Sequence, residues 1–526
     1  MMKSALAGAL LCLGFSAFAQ NAASTSPVFN ILDYGAKPGA TSNTAAIRSA
    51  VQACAKAGGG TVWIPAGTYS TGAIEMVSNM TLHIDSGATL RFVADRSEYP
   101  MIEHGRYEGV ETRTLAANIG GYKLENIAIE GHGTVTASNA DWLAMMRTDP
   151  SGRGAWMNLL NLLQKSEPIP AELRAAAEKS LRTDFIRPVE SRNVRIEGIH
   201  IVGSPMWVIH PLYCENVTIR DVMVESYPGG NTDGVDVDSC RHVRISDSYF
   251  DTGDDGICLK SGKDADGLRV NRPTEDVAIT NCTVHRAHGA VVLGSETSGG
   301  IRNVVASNIV SVGTDKGIRI KSTRGRGGLM ENIRFDNWVI EDSRGAAIEV
   351  TNYYTRAPQE PVSARTPIFR NFAISHVTIN RCPVAVSIEG LPEMPVEGLR
   401  ITDVVANAKE GLQAFNTVGL ELHNVRIDPD SGVAFLIRDS KQVDLDGIQT
   451  RNPKPGVPVV RLDHVEGVTL RNSVAWPGTA IFLSVAPGQK SAVSLLSNEF
   501  RGATTQEDAT DYWKSIPTPD RGAPGR

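Results

Sequence analysis

The sequence predicts an all-β fold, a parallel β-helix in which each coil of the chain stacks on the coil before it. The first observation is a short pattern with eleven copies from Asn193 to Gly467, separated by ten intervals of about 27 residues. The second is that each interval holds two or three short β-branched runs separated by Gly, Asn, Asp and Ser. The third is a glycine content of 50 in 526 residues, with few long helical patterns. A fixed period of this length is typical of a solenoid, and runs this short leave no room for a helix pair.

The repeated pattern is a turn residue, most often Asn, followed by alternating apolar residues. A β-propeller is the second choice, because its blades need about 40 residues each and carry different signatures. Earlier copies are expected at Asn79 and Asn126. The copies from residue 193 onward begin at Asn193, Asn216, His242, Asp276, Asn303, Asn332, Asn371, Gly398, Gly419, Gln442 and Gly467.

The first 19 residues have the composition of a secretory signal peptide. Lys3 supplies the positive charge, an apolar run follows, and Ala17-Phe18-Ala19 is a small-residue cleavage pattern. We expect cleavage between Ala19 and Gln20, with export to the periplasm or the medium. No other apolar stretch approaches the ~20 residues of a membrane span, so none is predicted.

The remainder is predicted to be a single β-helix domain, residues 20–500, with two helical departures. Residues 42–57 show helical spacing, with Thr44 as a candidate cap, and are expected to cover the open first coil. Residues 138–187 are predicted to be a helical insertion. We favour a packed excrescence over a wall or lid beside a binding cleft. The polar residues 501–526 are expected to be disordered.

Composition and charge exclude some classes of function. With 52 Lys and Arg against 58 Asp and Glu, the net charge is −6, which argues against a nucleic-acid binder. The chain has no Cys-x-x-Cys motif and no Cys/His spacing typical of zinc sites. Small buried hydrophobic residues are therefore favoured over disulfides for six cysteines: Cys54, Cys214, Cys240, Cys258, Cys282 and Cys382.

Five consecutive coils share a strand that begins with a small residue. If these strands stack, the residues just before them stack as well. Adjacent strands lie ~4.8 Å apart, so two carboxylates in such a column would be close enough to share one water. The strands are Gly234-Val-Asp-Val, Gly256-Ile-Cys-Leu, Gly289-Ala-Val-Val, Gly317-Ile-Arg-Ile and Ala347-Ile-Glu-Val, and the preceding residues are Asp233, Asp255, His288 and Lys316.

The same face gains a third carboxylate, Asp254, and two cations, Arg319 and Lys321, which point the same way because a strand alternates with period 2. Crowded carboxylates cannot all ionise cheaply, so at least one is expected to have a raised pKa. One protonated and two ionised carboxylates suit inverting glycosidic cleavage. The cations would hold an anionic sugar, because a guanidinium matches a carboxylate. Residues 316–326 carry five basic and no acidic residues, which would attract a polyanion locally.

Four motifs in order resemble those of glycoside hydrolase family 28, the polygalacturonases. They are Asn231-Thr232-Asp233, Gly253-Asp254-Asp255, His288-Gly289 and Arg319-Ile320-Lys321, and the resemblance runs from Asp33-Tyr-Gly-Ala-Lys to about Tyr354. The family implies a right-handed β-helix that hydrolyses α-1,4-galacturonan with inversion and without a metal or other cofactor.

The resemblance also implies roles for individual residues. Asp254 resembles the general acid, and Asp233 and Asp255 resemble the pair that activates water. His288 resembles the residue that supports the acid. The substrate-binding residues that it implies are Asn231, Arg319, Lys321 and a tyrosine, for which Tyr353 is the better match and the adjacent Tyr354 the alternative.

Alternatives remain open for the reaction. The helical insertion favours exo over endo action, and the family also includes hydrolases of rhamnogalacturonan and xylogalacturonan. A pectate-lyase-type enzyme would use Asp233, Asp254 and Asp255 as calcium ligands, and a non-catalytic polysaccharide-binding β-helix would cleave nothing. The expected partner is a pectic polysaccharide, bound by a monomer.

Several other polar residues are interpreted as structural. Asp and Asn are frequent at turns for local reasons, because their side chains bond nearby backbone. Trp207 would either stack on a sugar or fill the core. The residues interpreted as structural are Asp236, Asp238, Asp247, Asp251, His200, His210 and His285.

Overall fold

The computed structural model describes residues 26–148 and 150–507, and the predicted signal peptide lies outside the described residues. The chain folds as a right-handed parallel β-helix, as predicted. Three parallel sheets run along the solenoid, and each strand pairs with its equivalent in the next coil. We call the third sheet, which carries the candidate site, the site sheet.

The strands fall into these three sheets until the later coils, where longer strands bend from one sheet into the next. The first sheet begins with Val28–Asn30, Gly60–Ile64, Met80–Ile84, Glu125–Gly131, Arg192–Glu197, Glu215–Arg220 and Arg241–Ser246. The second begins with Gly67–Thr71, Ala88–Phe92, Thr134–Ala137, His200–Val202, Met223–Glu225 and Tyr249–Asp251. The site sheet contains Ile74–Glu75, Ile119–Tyr122, Ile186–Val189, Val235–Asp238, Ile257–Lys260, Val291–Leu293, Ile318–Lys321, Ala346–Thr351, Ile481–Val485 and Thr504–Glu507.

The bent strands continue these sheets to the C-terminal coils. They are Thr274–His285, Ile301–Val312, Leu329–Glu341, Ile368–Glu389, Val396–Phe415, Glu421–Pro429, Phe435–Asp446 and Val460–Arg471. Two short strands, Thr417–Val418 and Val493–Leu496, complete them, and an antiparallel hairpin, Met101–Tyr107 with Val110–Leu115, lies beside the early coils.

The core is a set of stacked aliphatic side chains inside the solenoid. Val217, Val243 and Val277 occupy one register position in successive coils, and all three are buried. Each fully buried side chain of this size contributes roughly 1.5–3 kcal/mol. The alternation of apolar and polar residues in the repeated pattern therefore sets which side chains face inward.

Each copy of the repeated pattern begins at a residue in the left-handed conformation. All eleven copies have φ between 54° and 69° at this position, and so do Asn79 and Asn126. Only Gly adopts this region without steric cost, and Asn and Asp tolerate it better than other residues. The side chains also form a ladder, because Nδ2 of Asn193 donates to Asn126 Oδ1 at 2.8 Å and Nδ2 of Asn216 donates to Asn193 Oδ1 at 2.7 Å.

The predicted N-terminal helix is present as α1, Thr44–Lys56. It buries Ile47, Val51 and Cys54 against the first coil, as a cap of the core should. Thr44 is not the N-cap, which is Asn43. Instead, Thr44 Oγ1 accepts a hydrogen bond of 2.9 Å from the backbone N–H of Gly72 and ties the helix to the coil below it.

The predicted insertion is helical. It contains α2 (Asn139–Thr148), α3 (Pro150–Gln164) and α4 (Ala171–Ala177), and a further short helix, α5 (Asp264–Val270), lies near the hairpin. Single 3-10 turns occur at Ile31–Tyr34, Arg96–Glu98, Glu178–Ser180 and Lys490–Ala492. The insertion packs on the hairpin and on the outer side of the coils through a buried cluster that includes Tyr107, Trp156, Leu159 and Trp207. Trp207 therefore fills a core between insertion and solenoid.

The tail predicted to be disordered, residues 501–526, includes an ordered strand. Residues Thr504–Glu507 form the last strand of the site sheet and pair in parallel with Ile481–Val485. The backbone hydrogen bonds of this pairing order the strand although its side chains are polar. Residues 508–526 lie outside the described residues.

All six cysteines of the described chain are buried and unpaired. Cys214 and Cys240 lie in adjacent coils, where the backbone N–H of Cys214 donates to Cys240 Sγ. No helix among the described residues has the length and apolar character needed to cross a bilayer.

The left-handed turns make a testable contribution to stability. Asn193→Ala is expected to lower the free energy of unfolding by about 1–2 kcal/mol, because Ala is strained in this conformation and breaks the ladder. Asn193→Gly relieves the strain and should cost less. Urea unfolding followed by circular dichroism measures both.

Asn407 offers a control for the loss of one of the two hydrogen bonds that Asn193 makes in the ladder. It is exposed and donates to Asn380 Oδ1 at 3.0 Å, but it is not in the left-handed region. Equal losses for Asn407→Ala and Asn193→Ala would show that the backbone conformation contributes nothing.

Candidate active site

The register of the site sheet decides which side chains meet. Val235, Ile257, Val291 and Ile318 are successive Cα partners. The predicted stacking is therefore correct for Asp233 above Asp255. It is wrong by one residue for His288, because Gly256 aligns with Ala290 rather than Gly289, and the backbone N–H of His288 donates to the Asp254 carbonyl at 3.0 Å.

The small residue at the start of each strand has a steric cause. A Cβ at Gly234 would lie 2.5 Å from the carbonyl oxygen of Gly256 in the next coil. This close approach lets the coils stack tightly where the carboxylates project. Asp233 and Asp255 are both buried, and carboxylate oxygens of the two lie within 4.8 Å of each other and of Cys258 Sγ.

Asp254 faces His288. Its Oδ1 is 3.1 Å from His288 Nδ1 and also accepts a 2.9 Å hydrogen bond from the backbone N–H of Asp255. Burial alone would raise the pKa of Asp254, but the hydrogen bond and charge of His288, with Lys321 and Lys260, lower it to about 2. The same hydrogen bond raises the pKa of His288, against its partial burial. In the free protein the shared proton is therefore on the imidazole.

Of the three carboxyl groups predicted to be catalytic, Asp233 is the one whose pKa is raised. Burial raises its pKa well above the ordinary value, the charges of Asp254 and Asp255 add to this effect, and Lys260 and Lys321 oppose it. The expectation of a protonated carboxyl is therefore met, but by a member of the predicted water-activating pair and not by the predicted acid.

The two predicted substrate cations are both paired with acidic residues of the protein. Lys321 Nζ lies 2.7 Å from Asp255 Oδ2, and both groups of this ion pair are buried. Arg319 Nε lies 2.8 Å from Glu349 Oε2, and both Arg319 and Glu349 are partly exposed. Of the two, Arg319 is the cation that a ligand can reach, whereas Lys321 is buried.

The tyrosine whose ring lies beside these cations is Tyr354, the alternative to the preferred Tyr353. The ring of Tyr354 lies 5.0 Å from Lys321 Nζ and 5.5 Å from Arg319 Cζ, and 40% of the residue is exposed. Tyr353 instead lies beside Arg324, with its ring 5.2 Å from Cζ. Adjacent residues of an extended segment point to opposite sides, so a sequence match alone could not choose between them.

Asn231 lies in the loop before Val235–Asp238, a strand of the site sheet. Its Oδ1 accepts a 2.8 Å hydrogen bond from Nη2 of Arg182, and Nη1 of the same guanidinium donates to the Gly230 carbonyl at 2.8 Å. The loop is thus anchored to the C-terminal end of the insertion.

Sequence reasoning missed a buried cation below the carboxylates, Lys260. Its Nζ lies 3.2 Å from Glu296 Oε2, 3.3 Å from Asp236 Oδ1 and 3.6 Å from Asp233 Oδ2. Burial and the charge of Asp233 raise the pKa of Asp236 well above its ordinary value. The interpretation of Asp236 as a turn residue is therefore wrong.

Asp238 is likewise a buried strand residue, not a turn residue. Its Oδ1 lies 2.6 Å from Nη1 of Arg106 in the hairpin, and His210 Nε2 lies 3.6 Å from its Oδ2. His210 is buried between Asp238 and Asp184, which agrees with its structural interpretation. Strand periodicity was the available signal, because Asp236, Asp238 and Lys260 alternate with core residues.

The carboxylates do not fit a calcium site. Asp254 is turned to His288, and the cluster formed by Asp233 and Asp255 includes the Cys258 thiol, a soft donor. Calcium takes six to eight oxygen ligands. Lysine ammonium groups already face both carboxylates, so a divalent cation would add to positive charge that is present.

Comparison with known proteins identifies relatives. The family described as Glycosyl hydrolases family 28 matches residues 172–426, and Rhamnogalacturonase A/epimerase, pectate lyase-like, matches residues 28–98. An exopolygalacturonase from Thermotoga maritima is 32% identical with a TM-score of 0.70, covering 77% of this chain and 92% of that one.

Two further relatives are similar in sequence. A probable polygalacturonase of Vitis vinifera is 29% identical over 75% of this chain and 76% of its own length. An exo-poly-alpha-D-galacturonosidase of Dickeya chrysanthemi is 29% identical over 67% of this chain and 62% of its own length.

Removal of Lys260 tests its role beneath the site. Lys260→Met leaves three buried carboxyl groups facing one another without their cation and is expected to cost about 3–5 kcal/mol of unfolding free energy. Lys260→Met with Glu296→Gln should recover part of this loss, as measured by urea unfolding.

Lys263 provides the control, because its Nζ lies 3.9 Å from Glu296 Oε1 and its side chain is more exposed. Lys263→Met should cost less than about 1 kcal/mol. If both lysine variants unfolded at the same urea concentration, Lys260 would not hold the carboxylates together.

Proposed function

Because the chain belongs to glycosyl hydrolases family 28 and is a glycoside hydrolase, we propose that it hydrolyses the α-1,4 bonds of polygalacturonan with inversion. The observation that carries this proposal is the grouping of three carboxyl groups, in which Asp233 and Asp255 form a close pair and Asp254 is bonded to His288. Inverting hydrolysis needs one acid and a separate base that activates water.

Asp254 acts as the general acid on the glycosidic oxygen. Its proton comes from His288, across the 3.1 Å contact between Nδ1 and Oδ1. A bound substrate excludes water from the site. This exclusion would favour the neutral pair, Asp254–COOH with uncharged imidazole, because the carboxylate and the imidazolium are then less solvated.

Asp255 acts as the base that takes a proton from the attacking water. Its Oδ2 lies 2.7 Å from Lys321 Nζ, while burial and the charge of Asp254 raise the pKa of Asp233. Asp233 can then donate one hydrogen bond and orient the same water. Two carboxyl groups in different protonation states thus share one nucleophile.

The anionic substrate is supported by the basic residues near the site and by the relatives. Arg319 reaches the surface beside Tyr354, where a sugar carboxylate can displace Glu349. The three relatives above carry polygalacturonase or galacturonosidase in their names, and two of them are exo enzymes. We accordingly propose exo action, and export of the protein by its N-terminal segment to meet a polymer outside the cell.

Product analysis on de-esterified polygalacturonan tests the reaction. Wild type in the presence of a chelator is expected to release saturated galacturonate from the first time points, without a ladder of intermediate sizes. Asp254→Asn should reduce the rate about a thousandfold, because it removes the acid. Anion-exchange chromatography resolves the products.

The outcomes of this experiment separate the alternatives. Products with a carbon–carbon double bond, or activity lost to the chelator, would assign the protein to the lyases. An early ladder of oligomers would replace exo with endo action. Cleavage of rhamnogalacturonan or xylogalacturonan alone would move the substrate to a branched pectin.

The pH profile tests the proton shared by Asp254 and His288. The pair keeps one proton up to the raised pKa of His288, above its ordinary 6.5. In His288→Asn the proton is kept only up to the pKa of Asp254 itself, so the alkaline limb of kcat/KM should move to lower pH by about two units.

His285→Asn is the matched control, because His285 lies beside Tyr249 on the neighbouring sheet. It should leave the profile unchanged. An alkaline limb that stays in place in His288→Asn would show that the imidazole does not supply the proton.

A further inference from the structure

A cleft of about 620 Å³ lies between the insertion and the loop that leads into the site strand. One wall is formed by α2 and α3, and the other by Arg182, Gly230 and Asn231. We call it the insertion cleft. The residues of α2 and α3 used below are Leu143, Met146, Arg147, Arg153 and Met157.

Among the residues that the structure describes, Arg147 and Arg153 of the insertion cleft have no acidic partner. Arg147 and Arg153 are exposed, and within residues 26–148 and 150–507 neither makes an ion pair or side-chain hydrogen bond. Other arginines near the site are paired, such as Arg286 with Asp251 and Arg344 with Asp315. An unpaired guanidinium that lines a concave surface favours a carboxylate, which it can bind in a bidentate manner.

The floor of the insertion cleft is fixed to the catalytic loops. Buried Arg182 holds Asn231 and the Gly230 carbonyl, and Asn231 is two residues from Asp233. The same loop packs on the second motif, since a Cβ at Gly253 would lie 2.0 Å from the Gly229 carbonyl oxygen. A sugar bound in the cleft would therefore lie next to the carboxylates.

The insertion cleft and Arg319 lie on opposite sides of the carboxylates along the solenoid. Arg319 belongs to a later coil than Asp255, whereas Gly230 and Asn231, which line the cleft, belong to the coil before Asp255. A polysaccharide with one carboxylate per sugar could thus meet cations on both sides of the bond that is cut. Leu143, Met146 and Met157 supply apolar surface for the C–H face of a sugar ring.

We infer that the insertion cleft is a second uronate subsite, in which Arg147 and Arg153 bind the carboxylate of a sugar on the early-coil side of the cleaved bond. This inference rests on the proposed function and names where that substrate extends. The insertion then forms a wall of the binding groove, in place of the packed excrescence favoured from the sequence.

The test compares two double variants that remove the same charge. Arg147→Gln with Arg153→Gln should raise KM for galacturonate trimer about tenfold, a larger change than that in kcat. In an Asp254→Asn background, which binds without cleaving, the same pair should weaken trimer binding about tenfold by calorimetry. The control, Arg48→Gln with Arg91→Gln, removes two exposed arginines elsewhere and should change neither quantity.

The two proposals fail in different ways. Suppose that wild type cleaves polygalacturonan, but Arg147→Gln with Arg153→Gln leaves KM and affinity unchanged. This result would overturn the subsite and leave the proposed function intact. Equal weakening in the control variant would reduce the effect to net charge and also overturn the subsite. Failure of wild type to cleave polygalacturonan would overturn the function and the inference together. Thermal unfolding confirms that each variant is folded.

Discussion

The coil-to-coil register of the parallel strands is the constraint on which the site depends. Each strand of the site sheet is held by backbone hydrogen bonds to its equivalent one coil away, and adjacent strands lie ~4.8 Å apart. Asp233 and Asp255 meet because they occupy equivalent positions in adjacent coils. A slip of one residue would turn every side chain of a strand to the other face. The left-handed turns that begin each copy of the repeat help to prevent such a slip.

Stacking carboxylates at this spacing creates a problem that the buried lysines solve. Two like charges so close in a poorly solvated site cannot both be stable. Lys321 forms an ion pair with Asp255, and Lys260 lies between Asp233, Asp236 and Glu296. Without the acidic residues, buried Lys260 and Lys321 would in turn be unpaired charges that destabilise the fold. The charge arrangement is therefore a property of the fold before it is a property of the reaction.

The sequence predicted most of the fold and the identity of the acidic pair, because both follow from periodicity. It placed His288 one residue out, since Gly289 and Ala290 are both small enough to begin a strand. It did not separate Tyr353 from Tyr354, because these residues are adjacent and only the backbone after the strand decides to which side each ring points. Lys260 was missed because its partners come from two other segments of the chain, and tertiary contacts of this kind leave no local pattern. Thr504–Glu507 is a strand because of its neighbour, not its composition.

The pairing of Arg319 and Lys321 within the protein limits what they can give to substrate binding. A cation that already contacts a carboxylate gains little from a second anion unless the first partner is displaced, and displacement of Glu349 leaves that carboxylate to be solvated. Lys321 cannot leave Asp255, the proposed base, without breaking their ion pair. Net electrostatic attraction of a polyanion must therefore come from cations that have no such partner. In the part of the chain that the structure describes, Arg147 and Arg153 of the insertion cleft meet this condition, which is why the insertion, under the inferred subsite, would decide how tightly the substrate is held.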